Sequence, residues 1–203
     1  MAKAVPKSTA ALGLLVVLLA AALGYFYTAY TDLKTDYEEL RQEYLYLLNQ
    51  NSTVIIINNR SYCQVALELV RAANVSIYVI MYVLKYDPGD KADPANELVW
   101  ALGNASKRGV EVAVILEGSV SVNQAAYDYL SAVGVNVTYD SPHVTTHCKL
   151  MVIDHRLVLV GSHNWTESAR WYNNEASVLI VSEEVAGREE EYFNKVWEEA
   201  QGP

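Results

Sequence analysis

From residue 51 onward, short apolar runs alternate with longer segments in which apolar residues recur at helical spacing. Apolar runs of this length are typical of buried strands, and strands separated by helices pack into a sheet that helices cover. The predicted strands are 54–57, 75–83, 110–116, 135–139, 145–153, 157–160 and 176–181, and the predicted helices are 62–73, 95–108, 125–133 and 184–199. The sequence therefore predicts one α/β domain over residues 51–203, a sandwich with a central mixed β-sheet flanked by helices.

One segment of this domain concentrates polar side chains that suit phosphate chemistry. His147, Lys149 and Asp154 form the pattern HxKxxxxD, and a GSxN pattern that contains Ser162 and Asn164 follows after six residues. Alternation along the predicted strand places His147 and Lys149 on one face. The short polar segment that begins at Asp154 predicts a hairpin, which would return Ser162 and Asn164 to the first strand. Lys149, Ser162 and Asn164 are then placed to donate hydrogen bonds to phosphate oxygens.

These residues and their spacing resemble the phospholipase D superfamily, and the ending GSxNWT is most similar to its single-motif branch, which is nuclease-like or mitochondrial cardiolipin hydrolase-like. The resemblance implies a phospholipase D-like sandwich and a catalytic set of His147, Lys149, Asp154 and Glu175. His147 would attack phosphorus to give a phosphohistidine, and Glu175 would hydrogen-bond its imidazole. Asp154 also suits ordinary turn chemistry, so we assign it to orientation and structure. Gly161 is expected to leave room for close approach of the substrate.

The implied mechanism needs a second histidine, which protonates the leaving oxygen and then activates water. The chain has one copy of the motif, because neither His143 nor His163 is followed by lysine two residues later. We therefore expect an obligate homodimer in which two copies of His147 share one site. No cofactor and no metal is expected, and Cys63 and Cys148 are expected to be free thiols.

The N-terminal part of the sequence predicts attachment to a membrane. Residues 10–29 contain no charge and are long enough to cross a bilayer as a helix. Lys3 and Lys7 precede this run and acidic residues follow it, so the positive-inside rule places residues 1–9 in the cytoplasm. We predict a single-pass signal anchor in the cell membrane, with the catalytic domain extracytoplasmic. The alternative is a cleaved signal peptide, which would leave a secreted or periplasmic protein.

Residues 30–50 predict a helical stalk. Tyrosine and leucine alternate there at spacings of three and four residues, as at the a and d positions of a heptad pattern. These residues are Tyr30, Leu33, Tyr37, Leu40, Tyr44 and Leu47. The pattern predicts a parallel two-stranded coiled coil, and the alternative is a single amphipathic helix that lies on the domain. A parallel coil has a two-fold axis, which is compatible with the shared site.

The charge of the chain bears on its substrate. The formal net charge is −9 at pH 7, whereas proteins that grip long nucleic acid duplexes usually carry a basic surface. The resemblance implies a metal-independent phosphodiesterase, and we expect a membrane-anchored, endonuclease-like hydrolase of nucleic acid. A phospholipase D or cardiolipin-type phospholipid hydrolase is the first alternative, which the membrane anchor favours. A non-catalytic phosphate-binding scaffold is the second alternative.

Overall fold

The computed structural model describes residues 7–48, 53–90 and 93–202. The chain divides into two compact units, with the boundary between residues 49 and 50. The first unit contains a single helix, α1 (Lys7–Leu48), which includes both the apolar run and most of the predicted stalk. The hydroxyls of Thr28 and Thr31 each donate to a carbonyl oxygen three residues earlier, so these polar residues are accommodated without breaking the helix.

The N-terminal predictions are confirmed only in part. The predicted stalk is helical as far as Leu48, whereas residues 1–6 and 49–52 lie outside the described part of the chain. No described helix is both long enough and apolar enough to cross a membrane. The transmembrane segment at residues 10–29 is therefore not confirmed, and the pairing of two stalks into a coiled coil remains a prediction.

The second unit is built on a seven-stranded sheet. Its strands are β1 (Thr53–Asn58), β2 (Ser76–Met81), β3 (Glu111–Leu116), β4 (Asn136–Tyr139), β5 (Lys149–Ile153), β6 (Leu157–Gly161) and β7 (Ala176–Val181). The spatial order is β1-β7-β6-β5-β2-β3-β4. Strands β2, β3 and β4 are parallel, and the other neighbouring pairs are antiparallel. The predicted mixed sheet is therefore confirmed.

Helices cover both faces of this sheet. They are α2 (Ser61–Ala72), α3 (Pro94–Lys107), α4 (Gln124–Ala132), α5 (Glu167–Trp171) and α6 (Glu183–Gln201). On one face, Phe193 and Val196 of α6 pack with Leu150 and Val158 of the sheet. Alternate strand residues such as Val79 point to the opposite face and are also fully buried. Burial on both faces explains why the central strands β2, β3 and β5 are continuous apolar runs in the sequence.

Side-chain caps set the first residue of three of these helices. Asp93 accepts a hydrogen bond from the backbone N–H of Ala95 at the start of α3, at 3.0 Å. Thr166 and Ser182 accept equivalent bonds at the starts of α5 and α6, at 3.2 and 3.3 Å. Each cap satisfies a donor that has no partner within the helix, so these polar residues fix where each helix begins.

β5 is shorter than the sequence predicts. It begins at Lys149 and not at residue 145, because β2 ends opposite Lys149 and ladder pairing stops there. The N–H of Thr146 donates instead to two buried carboxylates that follow β3 and β4. His147 therefore lies in a loop immediately before the strand.

The β5–β6 hairpin forms where the sequence predicts it. Asp154 and His155 have φ values of 51° and 55°, and the N–H of Arg156 donates to the carbonyl of Ile153 at 3.1 Å. Two consecutive left-handed residues are typical of a type I′ turn, whose twist matches that of antiparallel strands. The Asp154 carboxylate offsets the cost of this backbone by accepting hydrogen bonds from the N–H groups of Asn74, Val75 and Ser76.

Gly161 ends β6 at a point where β7 comes very close. A Cβ atom at this position would overlap Ser177 Oγ and the carbonyl oxygen of Ala176. A larger residue would force the two strands apart, which is costly in a packed interior. The expectation that Gly161 leaves room for substrate is therefore wrong, because the neighbouring strand occupies that room.

Candidate active site

The motif residues other than Asp154 gather at one end of the sheet, where several strands begin or finish. This end holds the C-terminal ends of β2, β3, β4 and β6 and the N-terminal ends of β5 and β7. His147 lies just before β5, Ser162 follows β6, and Glu175 precedes β7. Strand pairing therefore brings together side chains that are distant in the sequence.

His147 and Lys149 are in direct contact, as their predicted common face requires. The Lys149 ammonium lies 3.1 Å from Nδ1 and 3.2 Å from Nε2 of His147, and it donates to the His147 carbonyl at 2.9 Å. The ring of Tyr82 packs beside the imidazole, with 4.3 Å between centroids, and the ammonium lies 4.8 Å from the Tyr82 centroid. An imidazole and a cation thus meet at one point, with the imidazole exposed to solvent.

The Lys149 side chain is held in a poorly solvated place. It is 7% exposed. Burial lowers the pKa of Lys149, while the nearby Cys148 and Glu175 act in the opposite direction. A partly desolvated ammonium forms stronger electrostatic interactions with an anion than a hydrated one, so Lys149 suits the binding of a phosphate oxygen.

Glu175 makes a different contact from the one predicted. Its carboxylate accepts a short hydrogen bond from the Ser162 hydroxyl and another from the Asn173 amide at 2.9 Å. Ser162 Oγ in turn accepts from the N–H of Ala176 at 3.0 Å. Among the described hydrogen bonds of Glu175 none reaches His147, so the expected imidazole–carboxylate bond is replaced by a Ser162–Glu175 pair. The Ser162 proton is directed to Glu175, which leaves the hydroxyl oxygen as an acceptor.

Two residues without a predicted role hold this part of the site in place. His163 is fully buried, with Nδ1 2.7 Å from Ser177 Oγ, Nε2 3.0 Å from the Asn59 carbonyl oxygen, and its ring stacked on Tyr62. Asn59 clamps the backbone of Glu175, because its Oδ1 accepts from the Glu175 N–H at 2.8 Å and its own N–H donates to the Glu175 carbonyl at 3.0 Å. Burial lowers the pKa of His163. The alternation that places Leu159 in the core extends to His163, so the sequence contained a signal that His163 is buried.

Asn164 is oriented by the backbone of the segment that follows β2. Its Oδ1 accepts from the N–H of Val83 at 3.3 Å, and the next residue, Trp165, donates its N–H to the Val83 carbonyl at 2.9 Å. With the amide oxygen engaged, the amide nitrogen of Asn164 is the group left to act as a donor. This orientation fits the phosphate-binding role predicted for it.

Asp154 lies away from the other motif residues. It follows the last residue of β5, whereas Lys149 is the first, so about 16 Å of strand separates them at about 3.3 Å per residue. Its carboxylate is engaged by the backbone segment that leads into β2. The place of Asp154 in the catalytic set is therefore corrected: it supports the hairpin and does not reach the site.

Two clefts lie beside His147 and the loop that precedes it. A cleft of about 120 Å³ is lined by His147, Cys148 and, from α6, Tyr192 and Lys195. A second cleft, of about 460 Å³, includes His143 in its lining. The two clefts share residues of the loop that leads to His147, so a ligand can approach that loop from either one.

The described part of the chain offers little for a metal ion. Within it, no group of three or more histidine, cysteine, aspartate or glutamate side chains is arranged to hold one. Cys63 and Cys148 are both free, with Cys63 buried and Cys148 Sγ 3.4 Å from the Tyr192 hydroxyl. The polar groups described near His147 are nitrogen donors, hydroxyls and the Glu175 carboxylate, and two further carboxylates, Glu117 and Asp140, follow β3 and β4 at the same end of the sheet.

Comparison with known proteins gives consistent results. The family model described as "Cardiolipin synthase, PLD-like domain" matches residues 66–197. Mitochondrial cardiolipin hydrolase of Chlamydomonas reinhardtii is 30% identical over 107 residues, which are 52% of this chain and 47% of that protein. Phospholipase D of Rickettsia conorii is 32% identical over 87 residues, 42% of this chain and 44% of that protein. The chain thus spans about half the length of the curated relatives it matches.

Solved structures show the same fold. Nuc from Salmonella typhimurium, a phospholipase D family member, superposes with a TM-score of 0.64 at 25% identity over 73% of this chain and 95% of Nuc. NucT from Helicobacter pylori superposes with a TM-score of 0.61 at 17% identity over 73% of this chain and 97% of NucT. The family match covers well over half of the sequence and includes His147, Lys149, Ser162, Asn164 and Glu175. The chain therefore belongs to the phospholipase D-like family.

Proposed function

We propose that this protein is a phosphoric diester hydrolase in which His147 is the nucleophile and no metal ion takes part. The observation that carries the proposal is the contact between the His147 imidazole and the Lys149 ammonium at this end of the sheet. A nucleophile beside a fixed positive charge is what attack on an anionic phosphodiester requires. The family match supports this assignment.

The proposed reaction has two steps. A nitrogen of His147 forms a bond to phosphorus as the bond from phosphorus to the leaving oxygen breaks, and a second histidine gives its proton to that oxygen. The second histidine then removes a proton from water, which attacks phosphorus and breaks the nitrogen–phosphorus bond. Lys149 and the amide of Asn164 stabilise the charge on the phosphoryl oxygens. The Ser162 hydroxyl donates to Glu175, so the phosphate-binding role predicted for Ser162 is not part of the proposed steps.

We further propose that the second histidine is His147 of a second copy, in a homodimer. His163 is buried and engaged by two hydrogen bonds, and His155 lies in the β5–β6 turn, paired with Glu190 at 2.9 Å. Both histidines are thus placed where they do not reach the exposed imidazole of His147. The remaining histidine, His143, is exposed in the loop that precedes His147, and the mixed-dimer experiment distinguishes it from a second copy of His147. A two-fold axis beside His147 would supply an identical group to the same site.

Nucleic acid is the substrate that we propose first, because the resemblance is to the nuclease-like branch and the chain covers nearly all of Nuc. One observation favours a phospholipid as the second candidate. Large apolar side chains are exposed near the site, with Val144 61%, Trp171 46% and Tyr172 74% exposed. Exposed apolar side chains beside a site suit contact with lipid.

The proposal is tested by incubating the full chain, in detergent and EDTA, with single-stranded DNA, RNA, duplex DNA and anionic lipid vesicles. We expect hydrolysis of at least one substrate to continue unchanged in EDTA, because histidine supplies the nucleophile and Lys149 the positive charge. Hydrolysis that is lost in EDTA and restored by magnesium or zinc would contradict the mechanism. The substrate that is cleaved distinguishes the two candidates.

We propose that residues 10–29 form a signal anchor that holds the catalytic domain outside the cytoplasm. The uncharged run, with lysines before it and acidic residues after it, supports this proposal. Cleavage of the same segment as a signal peptide remains the alternative. Extraction of membranes at alkaline pH is expected to leave the full-length protein in the pellet, and its release in a shortened form would favour cleavage.

A further inference from the structure

Two buried acidic residues near the site have no part in the proposed reaction. Glu117 and Asp140 follow the adjacent parallel strands β3 and β4 and are 3% and 7% exposed. Both carboxylates accept a hydrogen bond from the same backbone N–H, that of Thr146, with N···O distances of 2.6 Å to Glu117 and 3.2 Å to Asp140. Thr146 is the residue directly before His147.

The other oxygen of each carboxylate is also engaged by backbone. Glu117 Oε1 accepts from the N–H of Ser119 at 2.9 Å, and Asp140 Oδ1 accepts from the N–H of Gly118 at 2.8 Å. Burial raises the pKa of Glu117, but hydrogen bonding with Ser119, with the Thr146 N–H and with the Asp140 side chain outweighs it and leaves this pKa below its usual range. Glu117 is therefore a charged acceptor at neutral pH, and hydrogen bonds to charged acceptors are stronger than those between neutral groups.

A third buried polar residue, Asn123, links the end of β3 to Tyr82, whose ring lies beside His147. Asn123 donates to the carbonyls of Glu117 at 2.9 Å and Tyr82 at 3.0 Å, and it accepts from the N–H of Leu84 at 2.8 Å. The Tyr82 ring packs against the His147 imidazole. The end of β3 thus holds both the backbone before His147 and the segment that carries its aromatic neighbour.

The loop that leads to His147 has few other anchors. Residues 142–145 and His147 are exposed, whereas Thr146 is 8% exposed. Strand pairing begins only at Lys149. The hydrogen bonds of the Thr146 N–H hold the chain on the N-terminal side of His147, while the Tyr82 N–H holds the Cys148 carbonyl on the other side at 2.9 Å. A displacement of a reacting group by 1 Å can cost about 100-fold in rate.

We propose that Glu117 and Asp140 are positioning residues that act through the Thr146 N–H to hold His147 in its attacking place. This inference rests on the proposed function, because it presumes that His147 is the nucleophile. It assigns the acid pair no contact with substrate. The backbone of Lys149 is held by pairing with Met81 of β2, and Asn164 is held by the backbone of Val83, so substrate binding should depend on the acid pair less than the chemical step does.

The test compares the isosteric variants Glu117→Gln and Asp140→Asn with the parent in hydrolysis of bis(4-nitrophenyl) phosphate, using the full chain in detergent and EDTA. The control is Glu111→Gln, an exposed residue at the opposite end of β3. We expect kcat to fall by about 30-fold or more in Glu117→Gln and by about 5-fold in Asp140→Asn, since the first hydrogen bond is shorter. KM should stay near that of the parent, whereas the unfolding midpoint should fall in both variants, because an amide nitrogen replaces a buried oxygen that accepts a backbone N–H. Activity is therefore measured well below the lower midpoint, and the control should match the parent in kcat, KM and unfolding midpoint.

The outcomes separate the two proposals. A parent that does not hydrolyse the diester contradicts the proposed function itself. An active parent with unchanged kcat in both variants, or with a raised KM at unchanged kcat, overturns the positioning role alone. If Glu117→Gln does not fold, Asp140→Asn decides, because its hydrogen bond is the longer of the two. A loss of activity that only follows the unfolded fraction would also overturn the positioning role.

Discussion

Replacement of His147 by alanine is expected to lower kcat for phosphodiester hydrolysis by at least about 10⁴-fold, as the loss of a covalent nucleophile does in other enzymes. His147 is the exposed imidazole of the site, and Lys149 beside it has no nucleophilic role in the proposed reaction. Steady-state hydrolysis of bis(4-nitrophenyl) phosphate in EDTA measures the effect. Binding of inorganic phosphate should persist in the variant, because Lys149 and Asn164 remain.

The matched control is His155→Ala. His155 is also an exposed histidine, but it lies in the β5–β6 turn at the far end of the strand that follows His147. Its loss removes the contact with Glu190 and leaves the site untouched. We expect activity equal to that of the parent. Activity of His147→Ala within about 100-fold of that of the control would show that the nucleophile lies elsewhere.

A mixed dimer with one parent subunit and one His147→Ala subunit is expected to be inactive. If two copies of His147 share one site, one as nucleophile and the other as acid, removal of either copy stops the reaction. Two affinity tags on the two subunits allow purification of the mixed species. The control is a mixed dimer of the same design with one His155→Ala subunit, which should retain full activity.

Half of the parent activity in the purified mixed dimer would mean that each subunit holds a complete site. The acid would then have to come from the same chain. His143, which is exposed and lines the cleft of about 460 Å³ close to His147, would be the first candidate. Loss of activity in His143→Gln would then identify it.

The centre of the sheet was predictable because β2, β3 and β5 are buried on both faces and therefore appear as continuous apolar runs. The helix α5 was missed because it has only five residues, too few for a helical period, and depends on the Thr166 cap. The start of β5 was placed too early for another reason. Thr145 and Thr146 have the side chains of a strand, but the N–H of Thr146 is taken by Glu117 and Asp140, which lie 29 and 6 residues away in the sequence.

The site was predictable where it depends on local alternation and not where it depends on tertiary contacts. The contact of His147 with Lys149 follows from a spacing of two residues in an extended chain. The pairing of Glu175 with Ser162 joins residues that adjoin different strands. A short motif does not define which side chains of neighbouring strands come into contact. Asp154 shares the motif spacing with His147, yet a strand of five residues separates it from the site.

Trapping of the covalent intermediate would show whether His147 bonds to phosphorus. The full chain is mixed in EDTA with excess bis(4-nitrophenyl) phosphate, quenched within one turnover at alkaline pH, where phosphohistidine is stable, and analysed by mass spectrometry after digestion. We expect a nitrophenyl phosphoryl group on the peptide that contains His147, and no such group in His147→Ala. Product formation without any adduct on His147, or an adduct on a different residue, would contradict the proposed mechanism.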